Sequence, residues 1–250
     1  MTKQFKKYAI KYTLEFFVIV LGISVSFWLN NWTENRLLNN QKKENLINLK
    51  SAIQKDSDLL ETIESFNDFR LNSLSQVLKW SKSSRESVDS LNLVLRDNTI
   101  WNKQIPKEFE NDFFYKTITW IERPRMMIIN SYAMEEIKSS GIYSKIKNKH
   151  LKDLVNDYYS DLYWVFGNDE TPSAITDLRI YLRDNYNLLI SDLRLLNNPI
   201  KFINQDNGLI LRLRTVINNA KWRSRRAKKS RLMSLKVIEE LSNEIIKLED

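Results

Sequence analysis

His150, Asp153, Asp157 and Asp161 fall at i, i+3, i+7 and i+11, so on an α-helix all four side chains leave one face. An imidazole among carboxylates is an oxygen-rich ligand set, which would hold a divalent cation if a second helix completed the shell. The plainer reading is a solvated acidic face, or one paired with lysines such as Lys147 and Lys149. That is the commoner fate of such a face, so neither a metal nor a cofactor is assigned.

A second set is Lys221, Arg223, Arg225, Arg226, Lys228, Lys229 and Arg231, seven cations in eleven residues with Trp222 among them. Such density suits anions. In a cytoplasm these would be nucleic-acid phosphates; outside it, lipid headgroups or an acidic protein partner, with nucleic acid not expected. On a helix the seven wrap most of the circumference and cannot all face a core, so salt bridges to the rest of the chain are the alternative. Lys3, Lys6, Lys7 and Lys11 add +4 with no acid in the first eleven residues. Of the net charge of +8, these two patches leave −3 for everything else.

Familiar catalytic constellations are missing. With no cysteine there is no disulfide, thiolate metal site or cysteine nucleophile. His150 is the only histidine, and no Gly-x-Ser-x-Gly elbow accompanies it. There is no HExxH, phosphate-cradling loop or dinucleotide fingerprint, and four glycines could scarcely build one. A membrane-tethered enzyme working with carboxylates and hydroxyls is an alternative, but no catalytic residue is assigned.

The elements that carry these residues begin with an apolar run. Phe16 to Leu29 holds fourteen uncharged residues, and Tyr12 and Trp32 bracket about 30 Å of helix around it. Tyr12, Trp28 and Trp32 stand where interfacial aromatic anchors form. Ser24-Val25-Ser26 has the form of a cleavage site, but bulky Phe27 and Trp28 continue the helix, so an uncleaved anchor is expected. Unopposed lysines before the run keep the N-terminus in the cytoplasm. In a bacterium this gives a cytoplasmic tail over 1–11, an inner-membrane helix over 12–32 and a periplasmic helical-bundle domain over 33–250. Within the span Glu15, Gly22, Ser26 and Asn30 fall within about 80° of one another, and Gly22 with Ser26 forms a small-xxx-small pair. This stripe is the expected contact face for self-association or a partner helix; otherwise Glu15 sits at headgroup level and Gly22 is incidental.

The stretch from Glu15 through Gly22 and Ile23, followed by Asn30, Asn31, Trp32, Thr33 and Glu34, resembles the N-terminal signature of a family of Bacteroidota single-pass membrane proteins, domain of unknown function 6090. A second patch is similar to it: Lys138 to Gly141, Ile146 to Asn148, Leu151, Leu154, Tyr158 and Tyr159. The chain departs from that pattern at Ser24, Ser26, Phe27, Trp28, Ile142 and Tyr143. The resemblance implies single-pass topology and a bacterial source, and it brings no active site.

Beyond the span only 4 Gly and 4 Pro serve 250 residues, which favours an all-α architecture: the membrane helix running into a stalk helix, then a bundle. Leu46, Leu49, Ile53, Leu60 and Ile63 follow a 3–4 spacing with Asp56 on the seam, which fits packing on the domain's own helices or an intermolecular coiled coil, Asp56 fixing register in either. Residues 66–80 extend this arm or return along it, and 81–90 form a polar linker. Further helices are expected over 86–96, 108–122, 125–140, 148–166, 171–196 and 205–247, with Gly141 as a C-cap, Thr171 capping Pro172, and Pro124 as a breaker. Leu151, Leu154, Val155, Tyr158, Leu162 and Val165 form a stripe thickened by Tyr159, Tyr163, Trp164 and Phe166, which reads as core before it reads as a ligand pocket. The expected function is binding by a scaffold, assembly or sensor-like module, homo-oligomeric and engaged with membrane lipid and a periplasmic or inner-membrane protein.

Overall fold

The computed structural model is all-helical and describes residues 3–81, 100–123 and 127–248, the side chains of 3–12 excepted. Among these the helices are α1 (Lys3–Trp80), α2 (Asn111–Ile121), α3 (Tyr132–Ser139), α4 (Ile142–Lys145), α5 (Lys149–Gly167), α6 (Thr171–Tyr186), a 3-10 turn (Ile190–Leu195), α7 (Pro199–Gln205) and α8 (Asn207–Ile246). The helix expected over 86–96, the break at Pro124 and the side chain of Tyr12 lie outside the described residues.

A single helix, α1, carries both the apolar run and the seam. Nothing in its sequence breaks it, and its 78 residues span about 117 Å at 1.5 Å per residue. Residues 13–37 are exposed on every side, and the first buried residue is Leu46. From there the expected seam is buried in full: Leu46, Leu49, Ile53, Leu60 and Ile63 are all 1% exposed or less. The chain's own helices cover it. α8 lies antiparallel along α1, with Arg231 beside Glu61 and Ser224 beside Asp68. Ala220, Ser224, Ala227, Ser230 and Ser234 line the inner face of α8, and such small side chains let the two backbones approach closely.

Two apolar clusters result. The one nearer the apolar run joins α1 from Leu46 to Ile63 with α3, α4, α5 and the C-terminal half of α8, and it absorbs Leu151, Val155, Tyr158, Tyr159 and Leu162. The distal one joins Leu74, Val77 and Leu78 with α2, α6, the 3-10 turn, α7 and the N-terminal half of α8. Phe69, Ile100, Trp101 and Phe113 form a smaller aromatic cluster at the side. The Trp80 indole donates to the Lys107 carbonyl at 2.9 Å, tying the irregular segment before α2 to the end of α1.

Several boundaries differ from expectation, each for a tertiary reason. The helix expected from 125 starts only at Tyr132, because Asn130 is held by Asp56, to which its backbone and side-chain N–H groups donate at 3.2 and 2.7 Å, while the Ser131 N–H closes a tight turn on the Ile129 carbonyl. The helix expected over 171–196 stops at Tyr186, where Asn187 adopts φ 52° and the Leu188 N–H returns to the Leu182 carbonyl in a Schellman-type closure. Asparagine tolerates that left-handed geometry better than other non-glycine residues. Glu170, not Thr171, occupies the N-cap of α6, and the Asp169 carboxylate accepts the Thr171 N–H at 2.9 Å. Gly141 does close α3, at φ 72°. Asn148 caps α5 and also donates to Glu240 and Glu244 on α8, so a local signal and a tertiary tie share one side chain.

Asp56 is a buried carboxyl that accepts from Asn130 and from the Tyr158 hydroxyl at 3.3 Å. Burial raises its pKa above the usual carboxylate value, and the hydrogen bonds from Asn130 and Tyr158 only partly oppose this. The folded state therefore holds this proton more tightly than the unfolded state, and the contribution of Asp56 to stability, full below about pH 4, is lost as pH rises through its folded pKa. Asp56→Ala should cost about 1–3 kcal/mol in chemical denaturation by orphaning Asn130 and Tyr158. Asp56→Asn should gain on the wild type as pH rises from 4 to 7; a stability difference that does not change with pH would contradict a raised pKa.

Candidate functional site on the outer face of α8

The seven-cation cluster lies wholly on α8, and the helix period divides it. Arg223 points inward, 1% exposed, with Nη1 2.6 Å from Asp169 Oδ2; expected on an anion-binding surface, it is a core residue. Arg231 turns to Glu61 and Glu64 of α1, each at 3.4 Å. Lys229 reaches Asp161 of α5 at 2.7 Å, with Ser230 donating to the other oxygen of that carboxylate. Lys221, Arg225, Arg226 and Lys228 have no carboxylate within ion-pair distance among the described residues. Lys221, Arg225, Arg226 and Lys229 line one shallow surface groove with Asn218 and Trp222. In it the Arg226 guanidinium stacks on Trp164 at 5.1 Å and on Trp222 at 5.8 Å, which fixes its plane while leaving its N–H groups for an anion.

Beneath the groove is a centre that the sequence did not disclose. Arg70 on α1 is 2% exposed, donating to Asn67 Oδ1 at 2.6 Å and to the Trp120 carbonyl in the last turn of α2 at 3.1 Å. A guanidinium at a helix C-terminus is well placed for the helix dipole. Burial and the like charge of Arg223 pull its pKa down to about 10, with Asp169 opposing, so it is still cationic at neutral pH. Burial likewise lowers that of Arg223 against the pull of Asp169. Asp169 thus pairs directly with Arg223 and its charge also favours the buried Arg70. The only signal in the sequence was an arginine on the apolar side of α1, seven residues beyond Ile63.

The other sequence-derived sets are placed as follows. His150, Asp153 and Asp157 are exposed on α5, and Asp161 is drawn away to Lys229 and Ser230; among the described residues no group of three or more His, Cys, Asp or Glu side chains could hold a metal ion. On α1, Gly22, Ser26 and Asn30 line one face with Ile19, Ile23 and Phe27. Ser26 donates to the Gly22 carbonyl at 2.8 Å and Asn30 to Glu34 at 2.9 Å, so both polar groups are satisfied within the helix. Glu15 lies two turns nearer the N-terminus on the same side of α1, beyond the depression that Gly22, Ser26 and Asn30 line. Trp28 and Trp32 are exposed, and Arg36 stacks on Trp32 at 5.6 Å. Of the aromatics beside the α5 stripe, Tyr159 is core whereas Tyr163 and Trp164 are exposed.

Compared with protein-family models, curated proteins and solved structures, the chain matches none.

Asp169→Asn keeps the cap on Thr171 while removing the counter-charge of two buried arginines. It should cost about 3–5 kcal/mol in equilibrium unfolding. Adding Arg223→Met should recover part of that loss, and a double variant as unstable as Asp169→Asn alone would contradict an uncompensated buried charge.

Proposed function

We propose that this chain is a single-pass inner-membrane protein whose helical domain stands in the periplasm and works by binding other proteins, as a scaffold, assembly factor or sensor-like module. The observation that carries the reading is that one unbroken helix, α1, is bare and apolar over 13–32 and then becomes the spine of the domain core. Leu14 to Trp32 exposes thirteen large apolar side chains, each 40–68% accessible. Leaving them in water would cost on the order of 20 kcal/mol, more than a domain's whole stability, so something apolar must cover them. The helix is long and apolar enough to cross a bilayer, and lipid covers all of its faces at once. The lysines before it favour a cytoplasmic N-terminus. The resemblance to a bacterial single-pass family points the same way.

Binding is favoured over catalysis because the groove on the outer face of α8 is lined by cations and an indole rather than by carboxylates. Self-association within the bilayer would use Gly22, where an added methyl group meets nothing within 4 Å, so a second helix can approach closely.

A periplasm-dependent reporter fused after residue 225 should be active, and a cytoplasm-only signal would overturn the topology. Gly22→Leu should shift full-length protein in mild detergent toward smaller particles by light scattering, and an unchanged mass would remove the helix-association face. Mature protein beginning after Ser26 would sink the anchor itself.

A further inference from the structure

We infer that the outer face of α8 docks an acidic, amphipathic helix of a partner protein; this rests on the binding role proposed above and names the partner's chemistry. Lys221 and Arg225 stand four residues apart, about 6 Å along the axis, and Lys229, already paired with Asp161, continues the row. Carboxylates at i and i+4 on a partner helix repeat at the same interval. Arg226 is already oriented by Trp164 and Trp222, so little side-chain freedom is lost when it binds a carboxylate. The cations do not stand alone. Leu211, Leu232 and Leu235 on α8 are 62%, 51% and 43% exposed, on either side of the groove. From Leu211 to Leu235 is about 36 Å of helix, enough to lay a helix of some two dozen residues alongside. A face that serves solubility alone would carry the lysines without the leucines, whereas an amphipathic acidic helix covers the leucines and pairs the cations.

Three other occupants fit less well. Asp68, beside the groove on α1, is 36 residues beyond Trp32, about 54 Å along the helix. Even with α1 tilted by about 40° that leaves roughly 40 Å, several Debye lengths of about 8 Å, so the headgroups of the chain's own membrane are out of reach. A second copy offers the exposed acids Asp153 and Asp157 on α5. With Asp161 against Lys229 and α5 antiparallel to α8, those acids lie beside residues 233–237, about 15 Å nearer the apolar run than Arg225. Copies anchored in one bilayer keep their heights, so these two acids would not meet the cations. Nucleic acid satisfies the cations but not the leucines.

The test uses the full-length chain in nanodiscs and a fluorescent 24-residue helical peptide of Leu with Glu at i, i+4 spacing. Its controls are the Lys-for-Glu peptide, a single-stranded oligonucleotide of equal charge and phosphatidylglycerol vesicles. The acidic peptide should bind saturably and the basic one should not. Arg225→Glu should weaken binding at least tenfold and Leu232→Ser at least threefold, with circular dichroism unchanged since both sites are on the surface. Peptide binding insensitive to either substitution, or tighter binding of the oligonucleotide or the vesicles, overturns the inference. Peptide binding by a chain shown to be cleaved and soluble would sink the membrane reading alone, and a correctly inserted chain that ignores the peptide would sink this one alone.

Discussion

Two buried guanidiniums and one carboxylate set the terms for the rest of the domain. Arg70 on α1 and Arg223 on the antiparallel α8 are both buried, the charge of Arg223 disfavouring that of Arg70, and Asp169, at the start of α6, lies 2.6 Å from Arg223. Apolar packing alone lets two long helices slide by a turn at modest cost, since one leucine replaces another. A buried charge permits no such slip, because moving Arg223 by 5.4 Å strands it and Asp169 together in a medium of low dielectric. The polar layer also explains why the apolar interior is two clusters: Asn67, Arg70, Ser73 and Arg223 are all buried between them. The same Asp169 caps α6 through its other oxygen, so register and helix start are fixed by one side chain.

Because α1 has no break between the bare apolar stretch and the buried seam, whatever holds the former holds the latter. A rotation or piston shift of the apolar end would reach the polar layer through continuous backbone hydrogen bonds rather than through a linker. Residues 33–45, between the bare apolar stretch and the buried seam, are rich in Asn, Lys and Glu and exposed or half-buried, as a helix largely in water requires. Asp56, Asn130 and Tyr158 then form the first polar tie inside the core, joining α1, the irregular segment before α3, and α5.

The basic cluster shows how a charge run differs from a charged surface. Seven cations in eleven residues read as one patch along the chain, yet a 100° turn per residue sends Arg223 inward, Arg231 toward α1, Lys229 toward α5 and the rest outward. Small residues at 220, 224, 227, 230 and 234 make this possible, since they bring α8 close enough to α1 for its flanking cations to find carboxylates. What is left facing water is a shorter and more specific feature, cations in step with leucines and a guanidinium laid on two indoles.

The sequence by itself determined whatever is set within a few residues: helices throughout, from scarce Gly and Pro; the apolar run at Phe16 to Leu29; the seam from Leu46 to Ile63; the Gly141 cap; the apolar stripe of α5. Each is an i, i+3, i+4 pattern or a single cap, and the backbone reads such signals locally. Tertiary structure alone decided that the seam is covered by the chain's own α8, that Asn130 is tied to Asp56 outside any helix, that the helix after Thr171 ends at Asn187, and that Arg223 is core while Arg225 is surface. Those outcomes turn on partners far along the chain, Asp169 being 54 residues from Arg223 and 99 from Arg70. Over 221–231, where cations fall on every side of the helix, no periodicity says which face will be buried, because the burial of a charge depends on where its counter-charge comes to rest.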